Sequence, residues 1–284
     1  MRSLLFVPGD SPRKFAKAIG TAADALVLDL EDSVAASSKV EARGAVAEML
    51  RAERAGKILI VRVNAFDTGL TLDDLAAVMR HAPDAVMLPK CSGGGDVDVL
   101  DHYLAAFEAA NGRKNGSTGV IAVATETGGS VLGLSSYRPH PRLHGLLWGA
   151  EDLAASINAT GNRDGQAYSG PFLLARNLCL MAASAAGVAA IDTVCTNLGD
   201  LDYVSAEARA ARRDGFSAKA VIHPNHVDPV NEAFQPTEAE IAWARSVVKA
   251  FHDNPDQGVV QIDGKMIDKP HERAARNILA MTAA

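Results

Sequence analysis

The chain predicts an α/β fold, a (β/α)8 TIM barrel with a C-terminal helical extension, and three observations carry that prediction. Short apolar runs recur eight times along it. The text between them has helical spacing, and the charged residues gather at one end of the runs. The runs are LLFVPG (4–9), ALVLDL (25–30), ILIVRVN (58–64), AVMLPK (85–90), VIAVATET (120–127), GLLWGAEDL (145–153), AIDTVCT (190–196) and AVIHP (220–224). Each is rich in Val, Ile or Leu and nearly unbroken in apolar character, the signature of parallel strands covered on both faces.

The intervening segments, such as SPRKFAKAIGTAA, SSKVEARGAVAEMLRAERAG, TLDDLAAVMRHAP and SAEARAARRDG, open on Ser or Thr caps and close near Gly or Pro. Eight such βα units in about 230 residues suit a barrel, for which roughly 250 is typical. An open doubly wound sheet is the competing architecture, but no GxGxxG follows the first run. CSGGGDVD (91–98) and GRKNGSTG (112–119) are expected as flexible loops. After the eighth run the pattern changes. PTEAEIAWARSVVKAFHDN reads as a long amphipathic helix with a Thr-x-x-Glu start, followed by a turn-rich segment and a last helix. The expected division is therefore a catalytic barrel over residues 1–231 and an extension over 232–284.

Composition narrows the function. The 284 residues are 48% hydrophobic and 22% charged, with a net charge of −6 and no Lys/Arg-rich run, so neither nucleic acid nor an anionic membrane surface is an expected partner. The first apolar run is too short for a signal peptide and no stretch approaches the ~20 apolar residues of a membrane span, which sets a cytoplasmic expectation. Cys91, Cys179 and Cys195 are far apart and odd in number, as expected of reduced, buried thiols.

The C-terminal ends of the runs, where a barrel of this type keeps its site, supply Pro8-Gly9, Asp29/Glu31/Asp32, Arg62/Asn64, Pro89-Lys90, Glu126/Thr127, Glu151/Asp152, Asp192/Thr196 and His223. Carboxylates converging on one mouth repel unless cations sit among them. With oxygen donors and no Cys/His cluster, Mg2+ is the expected cofactor, and Glu126 and Asp152, ending consecutive runs, are the economical ligand pair. Taken singly, Glu126 also reads as a capping residue in TETGGS, and Asp152 as the N-cap of the next helix. Arg62 reads either as a bidentate grip on a substrate carboxylate or as a salt bridge to Glu31 or Asp32.

Blocks RSLLFVPGDSPRKFAKA (2–18), LDLEDSV (28–34), VRVN (61–64), LPK (88–90), ETGGSVL (126–132), GAEDLAA (149–155), AIDTVCT (190–196), IHPNHVDPVNEAF (222–234) and DGKMIDKPHERAAR (263–276) arrive in order over nearly the whole chain. In them the sequence resembles the citrate lyase beta subunit-like proteins, relatives of malyl-CoA and citramalyl-CoA lyases in the Mg2+-dependent aldolase superfamily. The resemblance implies Glu126 and Asp152 as metal ligands and Arg62 as the substrate-carboxylate residue, with Glu126 also on the substrate side. It implies that Asp29, Glu31 and Asp32 support the metal through water, and that Asp268, from a neighbouring subunit's C-terminal lid, transfers the proton. The implied protein is a homotrimer or hexamer acting on a 3-hydroxyacyl-CoA thioester and yielding a 2-oxo acid and an acyl-CoA.

Two other activities fit the same resemblance: a thioester hydrolase, and an acyl-carrier-protein-dependent citrate lyase beta subunit. Lys90 is read as a charge partner of the carboxylates rather than a Schiff-base nucleophile. Arg13 and Lys14 are expected as solvated residues of the first helix, with CoA phosphates as the alternative role; His223 is expected to finish the last strand. Many relatives carry an Arg-rich stretch after the GAED block, whereas NATGNRDGQAYSG (158–170) has Arg163 alone, which leaves the acyl group open.

Overall fold

Every apolar run becomes a strand: β1 (Ser3–Pro8), β2 (Ala25–Asp29), β3 (Ile58–Arg62), β4 (Ala85–Leu88), β5 (Gly119–Val123) and β6 (Leu143–Leu147), with two more described below. In the computed structural model, which describes residues 1–282, the helices between them are α1 (Pro12–Ala18), α2 (Lys39–Arg51), α3 (Thr71–Val78), α4 (Gly94–Ala110), α5 (Gly128–Gly133) and α6 (Glu151–Ser156). A small hairpin, β7 (Arg163–Asp164) and β8 (Ala167–Tyr168), precedes α7 (Gly170–Ala186) and β9 (Ala189–Asp192). Then come α8 (Leu201–Asp214), β10 (Ala218–Val221) and α9 (Val227–Ala233). The sheet closes as β1-β10-β9-β6-β5-β4-β3-β2, all pairs parallel. The runs did not form an open sheet.

Alternation decides what faces inward. Leu4, Val27, Ile60, Met87, Ile121 and Ile191 belong to one buried cluster that fills the barrel. Asp29 lies two residues beyond Val27 and Arg62 two beyond Ile60, so both share the inward parity of their strands. Register puts Pro8 opposite Asp29, Asp29 opposite Arg62 and Arg62 opposite Met87. The polar ends therefore stand at one level of the same mouth.

Two buried ion networks brace the wall. On α4, fully buried Glu108 receives both terminal nitrogens of Arg142 at 2.9 Å and the N–H groups of Gly116 and Thr118 at 2.8 Å. Burial opposes its ionisation, but these donors win and hold the carboxyl near 2. They also anchor the end of the GRKNGSTG segment, so that loop, expected as flexible, is tied to the helix before it.

Around β9 and β10, fully buried Lys219 bonds Asp192 at 2.8 Å and Glu207 of α8 at 3.1 Å. Asp192 also takes Arg176 of α7 (3.1 Å) and the Trp148 indole N–H (2.7 Å), while Arg176 reaches Asp214 at 2.9 Å. The Arg163 guanidinium pairs with Glu207 and stacks 3.7 Å from the Tyr168 ring centre, attaching the hairpin to the same network. Cys91, Cys179 and Cys195 are free and buried.

The chain divides into two compact units, Met1–Asn231 and the stretch from Glu232 onward. In the second, α10 (Glu238–Asp253) starts with a capping box: the Thr237 hydroxyl accepts the Glu240 N–H at 3.2 Å, and the Glu240 carboxylate accepts the Thr237 N–H at 2.7 Å. Strands β11 (Val259–Ile262) and β12 (Lys265–Asp268) form a hairpin through Asp263 and Gly264, both at positive φ, and α11 (Lys269–Thr282) follows. Val247, Phe251, Val260, Ile267 and Ala275 form its core. Among the described residues no helix is long and apolar enough to cross a membrane.

Candidate active site

Asp29 ends β2 and is 1% exposed. Its carboxylate accepts the N–H groups of Glu31 (2.9 Å) and Ser33 (3.1 Å), which folds the LDLED turn, and two bonds of 2.7 Å from the Arg62 guanidinium. Burial pushes the Asp29 carboxyl up, but Arg62 and the two N–H donors prevail and hold it below the usual range. Arg62 also reaches Glu31 at 2.9 Å and stands off Asp32 at 4.0 Å, with its guanidinium 5.0 Å from the Phe6 ring centre. Of its two readings, the salt-bridge one is thus realised mainly with Asp29, a partner the sequence had not singled out.

Lys90 joins four carboxylates. It follows β4 with a left-handed backbone, φ 51°, rare for a residue with a side chain. Its N–H donates to Glu126 Oε2, while its ammonium bonds Glu31 Oε1 and lies 3.7 Å from Asp32 and 3.9 Å from Asp152. Burial lowers the Lys90 pKa, yet Glu31 and Asp32 together raise it above the ordinary lysine value. The amine stays an ammonium, which suits a charge partner and not a Schiff-base nucleophile.

Glu126 follows β5 and is 2% exposed. Burial, reinforced by the negative charges of Glu31 and Asp152 and opposed by the Lys90 N–H and Arg62, pushes its carboxyl up to about 8. The capping alternative does not hold, because the hydroxyl of Thr127 caps α5, accepting the Ser130 N–H at 2.9 Å. Gly149 leaves the room Glu126 occupies: a Cβ there would lie 2.8 Å from the glutamate Cγ. Asp152 is the second residue of α6, its side chain 38% exposed, and the N-cap position is Ala150, without a side-chain cap. Neither carboxylate is engaged in finishing a helix.

A hard divalent cation fits this donor set. Glu126 is a buried carboxylate whose ionisation is disfavoured until positive charge arrives, and Asp152 is its acidic neighbour. Among the described residues no group of three or more His, Cys, Asp or Glu side chains is arranged to hold a metal ion, so two carboxylates are the most the chain offers one here. A cation held by Glu126 and Asp152 would complete its coordination with water and substrate oxygens, as is usual for Mg2+.

The other expected residues are placed as follows. Arg13 and Lys14 are exposed on α1, and His223, just past β10, accepts the Asn225 N–H at 3.2 Å. Asp268, in the second unit, ends β12 with its carboxylate on the His271 imidazole, a pairing that holds it below the usual range. Two contributors, the left-handed Lys90 backbone and Gly149, are not among the residues the sequence predicts for the site. For the second, the glycine directly before the acidic AED triplet was the available signal; for the first there was none.

Residues 2–224 match the model of the HpcH/HpaI aldolase/citrate lyase family, and residues 173–284 match a C–C bond lyase family of the TIM-barrel fold. The chain is 34% identical to a (3S)-malyl-CoA thioesterase of Cereibacter sphaeroides over all of this chain and 95% of that protein. It is 32% identical to the citrate lyase subunit beta of Leuconostoc mesenteroides subsp. cremoris, over 100% and 93% of the two chains. Its structure is similar to that of the CitE protein of Mycobacterium tuberculosis in complex with magnesium, acetoacetate and coenzyme A, with a TM-score of 0.80, 30% identity and coverage of 100% and 98%.

Proposed function

The chain belongs to the HpcH/HpaI aldolase/citrate lyase family, and from that membership we propose a Mg2+-dependent carbon–carbon lyase of the oxo-acid-lyase type. Its substrate is a 3-hydroxyacyl-CoA thioester such as malyl-CoA or citramalyl-CoA, cleaved to a 2-oxo acid and an acyl-CoA. The observation that carries the reading is buried Glu126, poised to ionise beside Asp152 at the mouth that also holds Arg62. Glu126 and Asp152 would hold Mg2+, which supplies stabilisation of negative charge developing on a substrate oxygen. The magnesium complex of the CitE relative supports Mg2+ as the cofactor.

The protein's own groups do the rest. Arg62, held by Asp29 through Nε and Nη2 and by Glu31 through Nη1, would turn the N–H groups left on its two Nη atoms to the substrate carboxylate and so fix which bond breaks. Cleavage turns the substrate hydroxyl carbon into the carbonyl of the 2-oxo acid and passes the bonding electrons to the thioester, giving an enolate. Asp268, whose carboxyl His271 keeps ionised, accepts the hydroxyl proton as that bond breaks and delivers it to the enolate carbon, and in the condensing direction it takes the proton from carbon and returns it to the new hydroxyl. Asp268 is assigned to a neighbouring subunit's site in a trimer or hexamer. Asp29, Glu31 and Asp32 orient the groups around the metal through hydrogen bonds and water.

A second reading, hydrolysis of the thioester on the same scaffold, is supported by the relative named a malyl-CoA thioesterase. The test is to incubate the protein and Mg2+ with malyl-CoA and citramalyl-CoA, following 2-oxo acid and free thiol. Oxo acid released with CoA still acylated supports the lyase. Free thiol without oxo acid overturns it in favour of the hydrolase.

A further inference from the structure

Five carboxylates meet at the mouth, Asp29, Glu31, Asp32, Glu126 and Asp152, against two cationic side chains, Arg62 and Lys90. Arg62 is largely committed to Asp29. The other cation is spread over the rest: the Lys90 ammonium bonds Glu31 and lies within 4 Å of both Asp32 and Asp152, and its backbone N–H rests on Glu126. The residue keeps this position in a left-handed backbone that a glycine would adopt without strain. Such an outlier persists only where surrounding contacts enforce it.

This arrangement has two electrostatic consequences of opposite sign. A fixed ammonium among carboxylates weakens their hold on a divalent cation, and it lessens the repulsion met by an anionic substrate. We propose that Lys90 is the residue that sets the charge balance of this mouth, giving up affinity for the metal to gain affinity for the carboxylate of the substrate. The inference rests on the Mg2+-dependent reading above and adds to it a residue whose loss strengthens one ligand while weakening the other.

Glycine and methionine substitutions separate charge from shape. Lys90→Gly keeps the N–H to Glu126 and relieves the backbone, Lys90→Met removes the charge with most of the side chain kept, and Lys90→Arg keeps the charge. The measurement is calorimetric titration with MgCl2 alone, then titration of the Mg2+-saturated protein with pyruvate as a simple 2-oxo acid. In both neutral variants Mg2+ binding should tighten, on the order of tenfold for a unit charge removed from a half-exposed site, while pyruvate binding weakens by a similar factor. Lys90→Arg should restore both toward wild type.

A merely structural role would weaken both ligands, and that result overturns the proposal. So does Mg2+ affinity unchanged in the neutral variants while the wild type binds Mg2+ normally. A wild-type protein that binds no Mg2+ overturns instead the functional reading on which the proposal stands.

Discussion

Replacing Glu126 by Gln should make the metal-free protein more stable, by an amount that grows with pH. The carboxyl is raised from its ordinary 4.5 to about 8 in the fold, chiefly by burial. A group whose folded pKa lies above its unfolded one binds its proton more tightly when folded, so stability is greatest at acid pH and falls as pH rises from 4.5 to 8. At about 1.4 kcal/mol per pH unit, the stability lost through Glu126 relative to acid pH reaches about 3 kcal/mol at pH 7 and about 5 kcal/mol well above pH 8. At 2% exposure little solvent screening reduces this figure. Glutamine keeps an oxygen for the Lys90 N–H and carries no charge, so the variant escapes the cost.

Urea unfolding in EDTA at pH 5.5, 7 and 8.5 measures it directly. The wild type should lose stability across the series relative to Glu126→Gln, and saturating Mg2+ should restore the wild type while leaving the variant unmoved. Equal stability of the two proteins at pH 8.5 in EDTA would refute the argument that burial disfavours this carboxylate.

Two further outcomes are expected. Gly149→Ala places a methyl 2.8 Å from the Glu126 Cγ and should displace that side chain, weakening Mg2+ binding by tenfold or more in calorimetry while circular dichroism stays unchanged; Mg2+ affinity within twofold of wild type would contradict it. Glu126→Gln and Asp268→Asn, each inactive alone, should regain part of the activity when unfolded together and reassembled, because a mixed oligomer pairs an intact barrel with an intact lid; no recovery would argue against a site shared between subunits.

Much of the barrel was legible because buried parallel strands leave a local trace. All eight runs became strands, from Ser3–Pro8 to Ala218–Val221, in one closed sheet. The acidic mouth was legible for the same reason: polar residues directly after an apolar run point to one end of a barrel. The two hairpins were missed although each carries an Asp-Gly pair, Asp164-Gly165 and Asp263-Gly264, because the flanking strands are too short or too polar to show alternation. Lys219 escaped notice for a different reason. It sits inside a strand and is neutralised by Asp192 and Glu207, residues 27 and 12 positions away, and no local pattern announces a partner at such distance. The choice of Asp29 as the principal partner of Arg62, over Glu31 or Asp32, is likewise set by register between β2 and β3.

The Asp192–Lys219 network also bears on how such a sequence can drift. Removing any single member leaves a buried charge without its counterpart, at a cost of several kcal/mol, whereas exchanging the whole set for apolar residues of matching volume is often neutral. Asp192, Lys219, Arg176 and Glu207 are thus expected to be inherited as a block: homologues should keep all four or have lost them together, and a lineage caught with three should show a compensating change within contact distance of the gap.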